Sequence, residues 1–282
     1  MRWILFFLFA TTYLYSHSKP PIEFVIVTPS YNNELWCEGN LQSIISQTYP
    51  HWSLIYINDC STDATCALVD QFIHNHKIGK KCRLIHNTKR VGAMANFYRA
   101  IGSIEGHKVV VHLDGDDRFA HDQVLERLAR VYEDEEVWMT YGNYVMEPNP
   151  NNSPSICAAF PEEIMRERKF RSYPWVSSAL RTYYATLFHK IKKDDFLHEG
   201  KFFSVASDLA FMFPLLEMAS LGHIHFIEEV LYIYNRQTPI NDDCVRLQEQ
   251  MQMDTFIRQK ERYQALQGPL FKRKKPSVKV AA

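Results

Sequence analysis

The first half of the chain alternates strand-like and helix-like segments, and this alternation restricts the fold more than any other feature of the sequence. Short apolar runs are separated by segments whose apolar residues recur at helical spacing. The predicted strands cover 24–27, 54–57, 83–86, 109–113 and 137–146. Strands that alternate with helices are joined by right-handed crossovers, so we predict an α/β fold with a mostly parallel sheet and helices on both faces.

Polar residues follow three of the predicted strands. They are Thr28-Pro29-Ser30-Tyr31, Asn58-Asp59 and Asp114-Gly115-Asp116-Asp117. Because ligands bind at the carboxyl ends of parallel strands, we expect these residues to converge in one cleft. The chain has no Gly-x-Gly-x-x-Gly and no Gly-x-x-x-x-Gly-Lys-Ser/Thr motif, so a dinucleotide fingerprint and a P-loop are both excluded.

The segment Asp114-Gly115-Asp116-Asp117 places three carboxylates directly after an apolar strand. Clustered carboxylates repel one another unless a cation neutralises them, and hard oxygen ligands suit Mg²⁺ or Mn²⁺. Such a cation commonly holds a phosphate-bearing substrate. We expect Gly115 to keep the turn open and to let a ligand approach the backbone. The alternative is a polar β-turn followed by a helix cap, which aspartate alone would explain.

Composition limits the class of protein. With 282 residues, 46% of them hydrophobic, the chain can bury the core of one large domain. Lys+Arg and Asp+Glu balance at 32 each, and no basic stripe interleaved with aromatic residues is present, so nucleic acid is not an expected partner. None of the six cysteines forms a Cys-x-x-Cys pair, and we expect buried free thiols.

The two ends of the chain differ from its middle. Met1-Arg2 precedes an apolar run over 3–14, so residues 1–18 are predicted to be a signal peptide or a signal-anchor. We therefore expect the protein in the secretory pathway or anchored to a membrane, with association on the cytosolic face as the alternative. Residues 267–282, which include the basic run 272–275, are expected to be a solvated tail that can also touch anionic lipid.

A loop over 147–155 with three prolines is the clearest boundary in the chain. It separates a first half, 22–146, from a second half, 156–266, which we expect to belong to the same domain and to cover the acceptor side. In the second half we predict helices over roughly 177–191, 208–221 and 244–266, and a strand at about 224–234.

Three motifs at successive strand ends resemble the signatures of family 2 glycosyltransferases of the GT-A fold. They are Val25-Ile26-Val27-Thr28-Pro29-Ser30-Tyr31-Asn32, Asn58-Asp59-Cys60-Ser61-Thr62-Asp63 and Leu113-Asp114-Gly115-Asp116-Asp117. The likeness covers about 22–235, and Asn87-x4-Gly92-x3-Asn96 matches a further family pattern. The resemblance implies a GT-A-type, nucleotide-sugar-binding α/β/α sandwich whose first half binds the donor, with a smaller C-terminal region on the acceptor side.

The resemblance also implies roles for individual residues. Thr28 would belong to the donor site, Tyr31 would stack on the base, and Asp59 would bind the base or the ribose. Asn58 replaces the first of two aspartates common in that motif. The alternative for Tyr31 is a turn aromatic that packs over the sheet.

The remaining roles concern charge and catalysis. The resemblance implies that Asp114 and Asp116 contact the donor, that Asp116 and Asp117 ligate Mg²⁺ or Mn²⁺, and that Arg236 meets the diphosphate. Asp208 matches the position of the family's acidic base, which takes the proton of the acceptor hydroxyl. The alternative is that Asp208, or Ser207 before it, caps a helix.

The function implied by the resemblance is transfer of a sugar from a nucleotide diphosphate donor, a UDP- or GDP-sugar, to a hydroxyl of a glycan, a lipid or a protein. The transfer is expected to be metal-dependent and inverting. Two alternatives stay open: nucleotidyl transfer to a sugar phosphate, and a catalytically silent protein that binds a nucleotide sugar or a partner.

Overall fold

The computed structural model describes residues 19–239 and 241–271. The predicted targeting segment, 1–18, and the basic run 272–275 lie outside the described residues. In the part of the chain that is described, no helix combines the length and the apolar character needed to cross a membrane.

The described residues form strands and helices in alternation through the first half, as predicted. The strands are β1 (Phe24–Ser30), β2 (Trp52–Asn58), β3 (Cys82–His86), β4 (Val109–His112), β5 (Arg118–Phe119), β6 (Met139–Glu147), β7 (Thr182–Tyr184), β8 (Leu197–His198), β9 (Lys201–Phe202) and β10 (Ile224–Asn235). The helices are α1 (Cys37–Ile45), α2 (Thr65–Asn75), α3 (Ala93–Ile101), α4 (Val124–Tyr132), α5 (Glu162–Glu167), α6 (Ala185–His189), α7 (Ser207–Met218), α8 (Asp242–Val245) and α9 (Leu247–Gln259).

One large sheet organises these elements. Its strand order is β3-β2-β1-β4-β7-β6-β10-β5, while β8 and β9 form a separate hairpin. The β1–β2, β2–β3, β1–β4 and β6–β10 pairs are parallel, whereas β7 runs antiparallel to both β4 and β6. The sheet is mostly parallel, in agreement with the sequence prediction, and it joins strands from both halves of the chain.

The two faces of the sheet are covered by different helices because side chains alternate along each strand. On β1, Val25 and Val27 pack in a cluster with residues of α3, α6 and α7. The intervening Phe24 and Ile26 pack on the other face with residues of α1, α2 and α4. The result is the predicted sandwich of helix, sheet and helix.

The helix predicted over 177–191 is wrong. The structure has β7 in the centre of the sheet, followed by the short helix α6. Thr182, Tyr183 and Tyr184 are β-branched or aromatic residues that suit a strand, and pairing with β4 and β6 buries them completely. The helix predicted over 244–266 is also too long, because α9 ends at Gln259.

The cysteines are free thiols, but the expectation that they are buried holds only for Cys37. Cys60, Cys66, Cys82 and Cys157 are partly exposed and Cys244 is exposed.

Parallel pairing places the polar strand ends side by side. Ser30 pairs with Asn58 across β1 and β2, and Val27 pairs with His112 across β1 and β4. The residues that follow β1, β2 and β4 therefore lie at one edge of the sheet, where the predicted cleft is found.

Candidate active site

A cleft of about 560 Å³ lies at this edge of the sheet. It is lined by residues from both halves of the chain, and seven predicted site residues are among them: Tyr31, Asp59, Asp114, Asp116, Asp117, Asp208 and Arg236. Thr28 is not in the lining. It lies fully buried within β1, and its Oγ1 has no hydrogen-bond partner among the described residues.

The turn that carries the aspartates is fixed by hydrogen bonds from α1. The Nδ2 atom of Asn40 donates to the carbonyl oxygens of Asp114, at 2.9 Å, and Asp117, at 2.7 Å. Gly115 packs so tightly on β1 that a Cβ atom there would lie 2.5 Å from the Cβ of Ser30. The glycine is therefore required by the neighbouring strand, and the close approach involves protein rather than a ligand.

Asp117 is the most enclosed of the three aspartates, with 2% of its surface exposed. Its Oδ2 accepts a hydrogen bond from the Tyr232 hydroxyl at 2.5 Å, and its Oδ1 accepts one from the Asn235 backbone at 2.6 Å. Burial, followed by the charges of Asp116 and Asp114, raises the pKa of the Asp117 carboxyl well above its ordinary value. Asp117 thereby joins the aspartate turn to β10.

Asp116 is partly exposed in the cleft. Burial and then the charge of Asp114 raise the pKa of the Asp116 carboxyl to about 7. Both groups resist ionisation in the absence of a compensating charge. A divalent cation bound to carboxylate oxygens would supply that charge, so the residues present fit the Mg²⁺ or Mn²⁺ predicted from the sequence.

Asp59 also lines the cleft, and its carboxylate is bound by the loop that leads into α3. Its Oδ2 accepts from the Gly92 backbone at 2.8 Å, and its Oδ1 accepts from the Val91 backbone at 3.0 Å and from Asn87 Nδ2 at 2.7 Å. Asn87 Nδ2 also donates to Asn96 Oδ1 at 2.8 Å. The Asn87-x4-Gly92-x3-Asn96 pattern thus encloses the Asp59 carboxylate.

The same loop brings Arg90 over Tyr31. The guanidinium carbon of Arg90 lies 3.8 Å from the centroid of the Tyr31 ring, a cation–π contact at the edge of the cleft. The Tyr31 ring is partly exposed, so it is not simply buried against the sheet. Arg90 was missed from the sequence, although its position within the Asn87-to-Gly92 loop was the available signal.

Asp208 faces the cleft from the first turn of α7. No side-chain hydrogen bond caps this helix, which begins after Ala206, and Asp208 Oδ1 accepts only a local bond from the Leu209 backbone at 3.1 Å. Its Oδ2 lies 3.2 Å from Arg181 Nη1. The helix-cap alternative for Asp208 or Ser207 is therefore not observed, and the carboxylate is turned towards a cation.

Arg181 is 9% exposed and precedes β7. Burial opposes its charge, but the carboxylates of Asp208 and Asp114 outweigh that effect, so the pKa of the guanidinium is raised. Arg181 thus provides a permanent positive charge beside carboxylates from both halves of the chain. The sequence predicted a helix over 177–191 and so gave no signal that would place Arg181 beside Asp208.

Arg236 follows β10, and its backbone donates to the Glu147 carbonyl at 2.8 Å. Its guanidinium carbon lies 5.7 Å from the Tyr234 ring centroid, and its Nη2 lies 3.6 Å from Cys244 Sγ. The predicted basic residue is therefore in the cleft wall, beside the segment that leads to α8.

Comparison with known proteins agrees with this geometry. Residues 25–193, more than half of the chain, match the family described as Glycosyl transferase family 2. TuaG of Bacillus subtilis (strain 168), whose name refers to teichuronic acid biosynthesis, is 31% identical over 103 residues, which are 36% of this chain and 39% of TuaG. WfgD of Escherichia coli, named as a UDP-Glc:alpha-D-GlcNAc-diphosphoundecaprenol beta-1,3-glucosyltransferase, is 28% identical over 119 residues, 42% of this chain and 44% of WfgD. This chain thus spans less than half the length of these two relatives.

Solved structures share the fold at low sequence identity. Staphylococcus aureus TarS 1–349 in complex with UDP-GlcNAc superposes with a TM-score of 0.62 at 17% identity, over 84% of this chain and 66% of that one. The mannosyltransferase PcManGT of Pyrobaculum calidifontis, in complex with GDP-Man and Mn²⁺, superposes with a TM-score of 0.53 at 18% identity, over 79% of this chain and 60% of that one. The fold is thus the GT-A fold, as the sequence predicted, and the chain belongs to glycosyl transferase family 2.

Proposed function

We propose that this protein transfers a sugar from a nucleoside diphosphate donor to a hydroxyl acceptor, with a divalent cation and with inversion at the sugar. One observation carries the proposal: a single cleft brings the aspartate turn after β4 together with Asp59 and Tyr31 on one side and Asp208 on the other. The aspartate turn, Asp59 and Tyr31 suit a bound nucleotide, and Asp208 suits an acceptor hydroxyl.

On this proposal the nucleoside binds between Tyr31 and the loop fixed by Asp59. Tyr31 offers a flat, partly exposed face for the base. The Arg90 guanidinium lies over that ring, so the base would either displace Arg90 from the ring or stack between Tyr31 and Arg90. The Asp59 carboxylate, whose oxygens accept hydrogen bonds from residues 87–92, would bind the base or the ribose next to that loop.

The diphosphate would then lie over the aspartate turn. Asp116 and Asp117 would hold Mg²⁺ or Mn²⁺, with Asp116 the more accessible of the two because Asp117 is bound to Tyr232 and Asn235. When bound, the cation offsets the negative charge of the diphosphate. Arg236 in the cleft wall is placed to meet the same charge.

Asp208 is proposed as the general base that takes the proton of the acceptor hydroxyl. The Arg181 contact orients its carboxylate, since the guanidinium is held in place by burial next to β7. Asp208 stands on α7, a helix otherwise buried in the core, so the base is carried by a rigid element.

The names of the similar proteins supply a donor panel: UDP-Glc, UDP-GlcNAc and GDP-Man. Thermal unfolding with each donor and Mn²⁺ should identify the one that binds, since a ligand at about 100 times its Kd stabilises by about 2.7 kcal/mol. Release of the nucleoside diphosphate from that donor, with glycan, lipid and protein hydroxyls as acceptors, then measures transfer. The anomeric configuration of the product tests inversion.

The control is Asp122→Asn, which alters an exposed aspartate outside the cleft lining, beside Asp116→Asn within it. Transfer by the parent and the Asp122 variant, but not by the Asp116 variant, supports the proposal. A donor that stabilises the parent but is never turned over would instead identify a binding protein. Release of pyrophosphate from a nucleoside triphosphate and a sugar phosphate would identify a nucleotidyltransferase.

A further inference from the structure

Three metal-ligating side chains from α2 and β3 meet outside the residues that line the cleft. Cys66 and Asp70 lie one turn apart on α2, and His86 is the last residue of β3; we refer to them as the Cys66 cluster. Cys66 Sγ lies 3.3 Å from His86 Nδ1 and 4.0 Å from Asp70 Oδ2. His86 Nε2 lies 3.5 Å from Asp70 Oδ2. The ligand atoms of the three residues all lie within 4.8 Å of one another.

An ion can be bound by only one of the two His86 ring nitrogens, and one ligand atom from each residue lies within 4.8 Å of the other two. With ligand bonds of about 2.0–2.3 Å, a tetrahedral zinc ion holds its ligand atoms roughly 3.3–3.8 Å apart. The Asp70 and His86 side chains are 57% and 38% exposed, so both can turn about their own bonds to present one oxygen and one ring nitrogen to an ion beside the sulfur.

The chemistry of the cluster differs from that of the aspartate turn. A thiolate, an imidazole and a carboxylate together favour Zn²⁺ over Mg²⁺ or Mn²⁺, which prefer oxygen ligands alone. The ligands also come from a helix and a strand that form part of the same packed face, which fixes their spacing better than a loop would.

We propose that Cys66, Asp70 and His86 form a zinc site separate from the donor cleft. The three protein ligands leave the fourth position to water. The inference does not depend on sugar transfer, because none of the three residues lines the cleft.

The Cys66 cluster is connected by hydrogen bonds to residues next to the donor cleft. Asn58 Nδ2 lies 3.5 Å from His86 Nδ1, and Asn58 Oδ1 accepts from the Ser61 backbone at 3.3 Å. The residue that precedes Cys66, Thr65, is the first residue of α2 and accepts through its Oγ1 from the Asn33 backbone at 2.7 Å. Zinc at the Cys66 cluster would therefore tie β3 to α2, the helix that follows the loop carrying Asp59, and so stabilise that part of the cleft wall.

Cobalt is the probe, because a cobalt ion bound to a thiolate shows a sulfur-to-metal charge-transfer band that oxygen ligands do not produce. The full chain, reduced and freed of metal by a chelator, is titrated with Co²⁺ and then with Zn²⁺. We expect one thiolate-bound cobalt per chain and its displacement by Zn²⁺. Cys66→Ser should abolish the band. His86→Ala and Asp70→Asn should each weaken Zn²⁺ binding by about tenfold or more.

Two matched variants complete the experiment. Cys60→Ser removes a nearby partly exposed thiol, and Asp116→Asn removes a carboxylate of the donor cleft; both should keep the thiolate band unchanged. No band in the parent, or a band of equal strength in the Cys66 variant, would overturn the proposal. Since the readout is spectroscopic, a failure to find sugar transfer leaves this result intact, and a missing band leaves the proposed transfer intact.

Discussion

Replacing Asp116 with Asn should stabilise the metal-free protein, because partial burial, followed by the charge of Asp114, opposes ionisation of the native carboxyl. Its pKa is raised from an ordinary value of 3.8 to about 7. A group whose folded pKa is raised favours folding while it is protonated, and this contribution is lost as the pH rises. The loss begins near the unfolded value and is complete above the folded value, so the window runs from about pH 4 to about pH 7.

The magnitude follows from the same shift. At about 1.4 kcal/mol per pKa unit, a rise from 3.8 to about 7 sets an upper limit of about 4 kcal/mol. Asp116 keeps contact with water in the cleft, which screens the repulsion, so we expect a gain of about 1–2 kcal/mol for the Asn variant above pH 7. The gain should shrink steadily towards pH 4.

The assay is urea unfolding in EDTA at a series of pH values for the parent, Asp116→Asn and the exposed control Asp122→Asn. The difference in free energy of unfolding between the parent and Asp116→Asn should grow up to pH 7 and then stay level, while Asp122→Asn tracks the parent. With Mn²⁺ added, the parent should gain stability and the Asp116 variant should gain much less. If the Asp116 variant is no more stable than the parent at pH 8 without metal, the argument that burial and the charge of Asp114 disfavour the ionised carboxyl is wrong.

Three further substitutions test other parts of the molecule. Tyr31→Ala should weaken binding of the free nucleotide by about 1–3 kcal/mol in calorimetry, whereas Tyr31→Phe should retain it; equal affinity in all three proteins would leave Tyr31 without a stacking role. Asp208→Asn should lower turnover by about 10²–10⁴-fold with donor affinity nearly unchanged, and parent-like turnover would remove Asp208 from the mechanism. Glu217→Gln leaves the buried Arg171 guanidinium without its bidentate partner, now bonded at 2.6 and 2.9 Å, and should cost about 3–5 kcal/mol in chemical denaturation. An unchanged denaturation midpoint for Glu217→Gln would contradict that reasoning.

The sequence alone located β1, β2, β3, β4, β6 and β10 and the polar residues that follow β1, β2 and β4. The apolar run of β1, the turn residues after it and the aspartates after β4 are local signals, because side-chain periodicity and turn preference act over a few neighbouring residues. Parallel pairing then required the polar ends of β1, β2 and β4 to share one edge, and the structure confirms it. This is why Tyr31, Asp59 and Asp116 could be assigned to one cleft from the sequence alone.

The sequence could not show which side chains those groups contact. Thr28 belongs to the same motif as Tyr31. It is nevertheless buried in the core, because β1 continues to Ser30 and side chains alternate along a strand. Asp59 lines the cleft and stays a predicted ligand of the nucleoside, but the sequence did not show that its oxygens also accept hydrogen bonds from residues 87–92, about thirty positions along the chain.

The centre of the sheet was decided only by tertiary structure. The residues of β7 sit in a segment whose local pattern is compatible with a helix, and it is pairing with β4 and β6 that makes them a strand and brings Arg181 to Asp208. Cys66 and His86 likewise meet only because α2 packs beside the end of β3. Local periodicity limits a segment to a helix or a strand. Which distant segments pair depends on the arrangement that buries the most apolar surface, and that is a property of the whole fold.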